Sequence, residues 1–377
     1  MAIKPLYFFN FLKKKKIKFF TGVPDSLLKE LCLCIDQKTS EENHIITANE
    51  GNAIAIASGS FLASNSIPLV YMQNSGLGNA VNPLLSLCDS QVYSIPMLLL
   101  IGWRGEPGVK DEPQHIKQGR IQTDLLNTLG IPYIILSKNE KNFKSKVSDI
   151  LKIAKNESKP VAILVKKNTF EKFDSKPVLE SDGLELSREE ALEIILNQID
   201  NKSIIVSTTG KTSREIFEIR KKNNQLHYQD FLTVGSMGHC TSIGLGIALE
   251  KKNRKVFVID GDGALLMHMG SLTNVVSIKP KNFFHILINN KVHESVGGQS
   301  TAAKNIDLSN VIKGIGYPHQ FLALSRTQLK KNICRLINSV GPSFLEVIVR
   351  PGSRNDLGRP SIKPAKNKLD FMKFLDE

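Results

Sequence analysis

The sequence is poor in cysteine. It has five (Cys32, Cys34, Cys88, Cys240 and Cys334), an odd number with no metal-ligand spacing beyond the isolated Cys32-Leu33-Cys34. That argues against a disulfide framework and fits a reducing cytosol, so a cytoplasmic location is expected. No apolar run reaches membrane-spanning length, which excludes a protein integral to a bilayer. Short apolar pieces surround Lys13 to Lys16, but no charged segment leads into an apolar stretch and a cleavage site, so no signal peptide is expected. Acidic residues are outnumbered and the formal net charge is +14. The basic clusters, such as Lys13 to Lys16 and Lys251-Lys252, are scattered, lack interleaved aromatics and match no nucleic-acid-reading motif. They read as solvated faces, no nucleic-acid partner is expected, and the positive field suits an anionic substrate.

What is present is the make-up of a soluble globular protein, with 41% hydrophobic and 23% charged residues over 377 positions, room for two domains with buried cores. Strand-like runs occur at Ile45-Ile46, Leu69 to Met72, Met97 to Ile101, Tyr133 to Leu136 and Val161 to Val165, with helical patterns such as Asn52 to Ala63 between them. Such alternation predicts a parallel sheet covered by helices. Residues 166–186 turn polar and lose periodicity, as a linker would. Ser187 and Glu190 then make a capping box, and a second series of strands follows at Ser203 to Ser207, Val256 to Ile259, Phe284 to Ile288 and Phe344 to Val349. The expected fold class is α/β, with two domains over 1–165 and 187–377, each a mostly parallel sheet flanked by helices.

The most informative stretch is the run Val256 to Asp260 closing in Gly261-Asp262-Gly263, followed by a predicted helix over Met267 to Ile278 and a second run ending in Asn289-Asn290. Two neighbouring strands ending this way put a carboxylate and an amide oxygen at the same edge of a parallel sheet, where open α/β folds bind ligands. Such hard oxygen donors suit Mg²⁺ bridging to a diphosphate. Glycine lets the backbone approach phosphate closely, and the N–H groups of Gly263 and Ala264 stand free at the next helix N-terminus.

This composite resembles the signature of thiamine diphosphate enzymes. The resemblance implies Mg²⁺ held by Asp262, Asn290 and the backbone carbonyl of Val292. It implies a bent cofactor propped by Met237 within Gly235-Ser236-Met237-Gly238, and a diphosphate terminus met by the turn Thr208-Thr209-Gly210-Lys211. Glu50, in Ala48-Asn49-Glu50-Gly51-Asn52, resembles the glutamate that activates the aminopyrimidine at N1′. In this superfamily the glutamate and the metal motif lie on pyrimidine-binding and diphosphate-binding domains, and the cofactor sits between one subunit's first domain and another's second. A homodimer or homotetramer is therefore implied. The order of the two motifs is that of the pyruvate-decarboxylase-like branch, but its central domain is absent and the linker is too short to hold one.

Gly22-Val23-Pro24-Asp25-Ser26-Leu27-Leu28, Gln73-Asn74-Ser75-Gly76-Leu77-Gly78-Asn79 and the stretch from Gly102 to His115 resemble the phosphonopyruvate decarboxylase family, near which stands sulfopyruvate decarboxylase. The resemblance runs over nearly the whole chain. It implies decarboxylation of 3-phosphonopyruvate to phosphonoacetaldehyde and CO₂ in phosphonate biosynthesis. The Pro-Asp-Ser-Leu-Leu form and the single fused chain favour phosphonate over sulfonate. Such a substrate needs fixed cations, and Arg104, Lys110 and Arg120 follow one strand together with His115 and Lys117. Arg104 is the foremost candidate for two-point phosphonate recognition, and Lys117 reads as a surface charge. Asp25 and Ser26 are expected to touch substrate, and His115 is a candidate proton donor. A carboligase of the acetolactate-synthase type would normally carry the missing central domain. A cofactor-binding regulator would have lost Glu50, Asp262 or Asn290, and all three are present.

Overall fold

The computed structural model describes residues 1–174 and 183–377. Two compact units result, one from the N-terminal half together with Ser295–Gln299 and one from the rest of the C-terminal half.

The first unit is built on six parallel strands, β1 (Phe20–Gly22), β2 (His44–Ile46), β3 (Leu69–Gln73), β4 (Leu98–Gly102), β5 (Tyr133–Leu136) and β6 (Val161–Val165), in the order β2-β1-β3-β4-β6-β5. Its central strands β4 and β6 are apolar at every position because both faces are covered. Leu69, Tyr71, Leu98, Leu100, Val161 and Ile163 fill one face, and Val70, Met72, Leu99, Ile101, Ala162 and Leu164 fill the other.

The second unit repeats the plan with β7 (Ile204–Ser207), β8 (Asp230–Leu232), β9 (Val256–Gly261), β10 (Phe283–Asn289), β11 (His319–Ala323) and β12 (Ser343–Ile348), in the order β11-β12-β10-β9-β7-β8. Ile205, Phe257, Ile259, Phe284 and Ile286 point to one side, Val206, Val256, Val258 and Leu287 to the other. The capping box forms, with Ser187 accepting from the Glu190 backbone and Glu190 from that of Ser187.

The structure differs from the sequence reading in several places. The helix expected over Met267 to Ile278 is two helices, Asp262–Met267 and Ser271–Ile278. The first starts as soon as β9 ends, which places the N–H groups of Gly263 and Ala264 in its opening turn. The helix expected over Asn52 to Ala63 runs from Glu50 to Ser64, because Asn49 caps it by accepting from the Asn52 N–H at 2.9 Å. Strands β8 and β11, the two edges of the second sheet, lie outside the predicted set. Of the expected linker, 175–182 fall outside the described residues. Phe170 packs into the first core and Leu186 into the second. All five cysteines are free. Among the described residues no helix is long and apolar enough to cross a membrane.

Candidate active site

In the first unit the functional candidates stand on the loops that leave the carboxyl ends of β1, β2, β3 and β4. Glu50 opens its helix and is buried, at 5% exposure. Its Oε2 accepts a hydrogen bond from Asn79 Nδ2 at 2.8 Å. Gly76 closes over the other oxygen, since a Cβ there would lie 2.1 Å from Glu50 Oε1.

Asp25 is fully buried after β1, where its Oδ1 accepts from the N–H groups of Leu27 (2.9 Å) and Leu28 (3.3 Å). Its Oδ2 has no partner. Burial pushes this carboxyl up to about 6, against the hydrogen bonds and the nearby Arg104 charge.

Arg104 follows β4 and does not present a free guanidinium. Its Nε and Nη2 both donate to Asp111, with Nε to Oδ2 at 2.8 Å, and Nη1 donates to Ser26 Oγ at 2.9 Å. The Gly105 N–H completes the hold on Asp111 at 2.8 Å. Asn74 grips the Arg104 backbone from the other side, donating to its carbonyl (2.8 Å) and accepting from its N–H (3.1 Å). Lys110, Lys117 and Arg120 are exposed. His115 is buried, its Nδ1 lacks a partner, and burial together with the Arg104 charge pushes it down to about 4. It is a neutral imidazole near pH 7, without the surplus proton of an imidazolium.

In the second unit β9 and β10 run parallel with Gly261 beside Ile288, so Asp262 and Asn290 leave neighbouring strand ends. Asp262 is buried and accepts from the Thr301 hydroxyl. Burial pushes its carboxyl up to about 6, while Thr301 and the backbone N–H groups of Asn290 and Gly263 pull the other way. The Asn290 amide is oriented by Glu294, to which Nδ2 donates at 2.8 Å, while Oδ1 accepts from the Val292 N–H at 3.2 Å. Glu294 in turn takes Arg188 (2.7 Å) and Lys211 (2.9 Å), and Arg188 makes a two-point pair with buried Glu215 at 2.6 and 2.7 Å.

Around this edge the backbone is shaped for close approach. Gly235 (φ 75°), Ser236 (φ 44°) and Gly238 (φ 86°) are left-handed about Met237. The Met237 methyl would touch a Cβ on Gly263 at 3.4 Å, and His293 would meet it at 3.1 Å. Thr209 Oγ1 accepts from the Gly235 N–H at 3.0 Å, tying that turn to the end of β7. Gly210 (φ 98°) starts the helix Lys211–Lys222. Thr208 is buried at the same strand end, with its hydroxyl beside the Cys240 thiol.

These residues fit a metal-bridged diphosphate. The described residues contain no group of three or more His, Cys, Asp or Glu able to hold a metal by themselves. Asp262, Asn290 and the Val292 carbonyl instead offer the mixed oxygen set with which Mg²⁺ takes substrate phosphates. The left-handed, glycine-lined turns at Gly210, Gly235 and Gly238 give such a ligand room to approach the backbone closely. Sequence reasoning gave no role to Asn79, Asn74, Asp111, Glu294 or Thr301, since each acts through a contact distant in sequence. The Asn74-to-Asn79 and Gly102-to-His115 stretches were the only pointers to three of them.

Fold and residues together define a two-domain enzyme that uses thiamine diphosphate. The chain matches the family model "Thiamine pyrophosphate enzyme, N-terminal TPP binding domain" over residues 6–127 and "Thiamine pyrophosphate enzyme, C-terminal TPP binding domain" over residues 208–347. It is 32% identical to a phosphonopyruvate decarboxylase of Streptomyces viridochromogenes and 33% identical to one of Streptomyces hygroscopicus, with 94% of this chain and 90% of the relative covered in each case. A sulfopyruvate decarboxylase of Methanosarcina acetivorans is 27% identical over 96% of this chain and 97% of its own. The chain belongs to the phosphonopyruvate decarboxylase family of thiamine-diphosphate-dependent decarboxylases.

Proposed function

We propose that the chain decarboxylates 3-phosphonopyruvate to phosphonoacetaldehyde and CO₂, with Mg²⁺ and as a homo-oligomer in the cytosol. The observation that carries the substrate is the match to two phosphonopyruvate decarboxylases at 32% and 33% identity along 94% of the chain, above the 27% to the sulfonate enzyme. Thiamine diphosphate, when bound, supplies the nucleophilic carbon and the electron sink for loss of CO₂. Asp262, Asn290 and the Val292 carbonyl would hold the cation. Thr209, Gly210, Gly263 and Ala264 would face the diphosphate, and Ser236 and Met237 would shape the turn against the rings. Glu50 would share a proton with the cofactor's aminopyrimidine.

Loss of CO₂ leaves the product in need of a proton. Asp25, raised to about 6, retains a protonated fraction near neutral pH and is the better source, whereas His115 at about 4 serves as a neutral hydrogen-bonding group. Ser26 and Arg104 lie beside Asp25, and Lys110 and Arg120 add exposed positive charge for the phosphonate. A dianion reaching Arg104 must share it with, or displace, Asp111. Irreversible release of CO₂ draws an unfavourable preceding step forward, which places the reaction in phosphonate biosynthesis. The test is ³¹P NMR of phosphonopyruvate incubated with enzyme, thiamine diphosphate and Mg²⁺. Phosphonoacetaldehyde is expected, and an unchanged substrate signal would refute the assignment.

A further inference from the structure

We infer that Asn79 is the positioning residue for Glu50, holding one carboxylate oxygen so that the other faces the group it exchanges a proton with. This rests on the reading of Glu50 given above. Two observations carry it. Asn79 Nδ2 donates to Glu50 Oε2 at 2.8 Å. Gly76, three residues earlier, leaves just enough room for Oε1, because any Cβ there would be 2.1 Å from it. One short segment that leaves β3 thus holds Oε2 through Asn79 and leaves space for Oε1 at Gly76.

The same segment touches the Glu50 helix a second time, since a Cβ on Gly51 would come within 3.0 Å of the Asn79 carbonyl. It also reaches the substrate loop, through the two hydrogen bonds between Asn74 and the Arg104 backbone. Residues 74–79 therefore set the glutamate and the Arg104 turn in one register.

The chemistry explains why an amide stands here. A lysine or arginine donor would pair with the carboxylate and hold its proton affinity down. A neutral amide donor fixes the geometry without placing a charge beside the carboxylate.

The test uses the full-length holoenzyme and follows exchange of the cofactor C2 proton by NMR, with thiamine diphosphate affinity measured by calorimetry and melting of the apoenzyme as separate readouts. Asn79→Ala is expected to slow exchange about tenfold while affinity changes less than about threefold. Asn79→Asp should be slower still, because two carboxylates then repel. Asn79→Ser, which keeps a donor, should recover part of the rate and serves if the alanine variant does not fold. Exchange at the wild-type rate in Asn79→Ala, with Glu50→Gln slow, would overturn the role of Asn79 alone. A fall in affinity and apoenzyme melting that matches the fall in exchange would also overturn it, as plain structural damage. Wild-type exchange in Glu50→Gln would overturn the underlying reading of the glutamate.

Discussion

Asp25 occupies the space that a side chain on Gly102 would need: a Cβ at Gly102 would stand 2.0 Å from Asp25 Oδ1 and 2.8 Å from its Cγ. The last residue of β4 must therefore be glycine for the loop after β1 to bury its carboxylate. The consequence is an ionisable carboxyl held where water does not reach it, with one oxygen unpartnered.

Burial raises the Asp25 carboxyl from 3.8 to about 6, so its protonated form is the one the fold favours. Its contribution to stability is fully present below pH 3.8 and is lost as pH rises through 6. Asp25→Asn, neutral at every pH, should equal the wild type near pH 3.8 and exceed it by up to about 3 kcal/mol above pH 6, while turnover falls. Urea unfolding of both proteins across this range makes the comparison. A stability difference independent of pH would show that Asp25 does not titrate in this window.

Gly102→Ala should destabilise the first unit by about 1–3 kcal/mol, since the added methyl has a buried carboxylate rather than a flexible side-chain end in its way. Combining it with Asp25→Ala should recover most of the loss. Denaturant midpoints of the single and double variants check this, and strict additivity would contradict the close packing.

Glu294 is the hub through which Arg188 and Lys211 orient the Asn290 amide. Glu294→Ala leaves buried Arg188 with Glu215 alone and frees the amide to turn, so a loss of about 1–3 kcal/mol in stability is expected. Affinity for Mg²⁺ with thiamine diphosphate should fall at least tenfold. Calorimetric titration of the apoenzyme at a temperature where the variant is folded separates the two effects. Unchanged affinity would detach Glu294 from the metal edge.

Much of the fold is legible because β9 and β10 are mostly apolar runs that end abruptly in Gly261-Asp262-Gly263 and Asn289-Asn290. The Ser187–Glu190 box is equally plain, being a local motif. The missing strands have a shared cause. β8 has three residues, and β11 lies at a sheet edge with His319 and Leu322 exposed, so neither shows the continuous apolar run of a central strand. Glu50, Asp262 and Asn290 stand out as candidates from their neighbours in sequence. Asn79 and Glu294 do not, because their partners Glu50 and Arg188 are 29 and 106 residues away and only the fold brings them together, and Asp111 meets Arg104 only through the bend of the loop after β4. Arg104 shows the limit of reading charge from sequence. Its position suggests a free cation, and the structure pairs it with Asp111.

If Arg104 nevertheless receives the phosphonate, Arg104→Ala should lower kcat/KM for phosphonopyruvate about ten- to a hundredfold, the worth of a charge-assisted two-point contact. Pyruvate, which has no phosphonate, should be turned over almost as before. Steady-state kinetics with both substrates decide it, and equal losses would assign Arg104 to the fold through Asp111.

The central claim is tested most directly by kcat/KM for CO₂ release from phosphonopyruvate, sulfopyruvate and pyruvate, measured side by side with thiamine diphosphate and Mg²⁺. Phosphonopyruvate is predicted to exceed pyruvate by at least about a hundredfold, the advantage of a charged group the site is built to pair, and to be preferred over sulfopyruvate as well. A preference for sulfopyruvate would contradict the assigned substrate while keeping the anion site. A preference for pyruvate would contradict both.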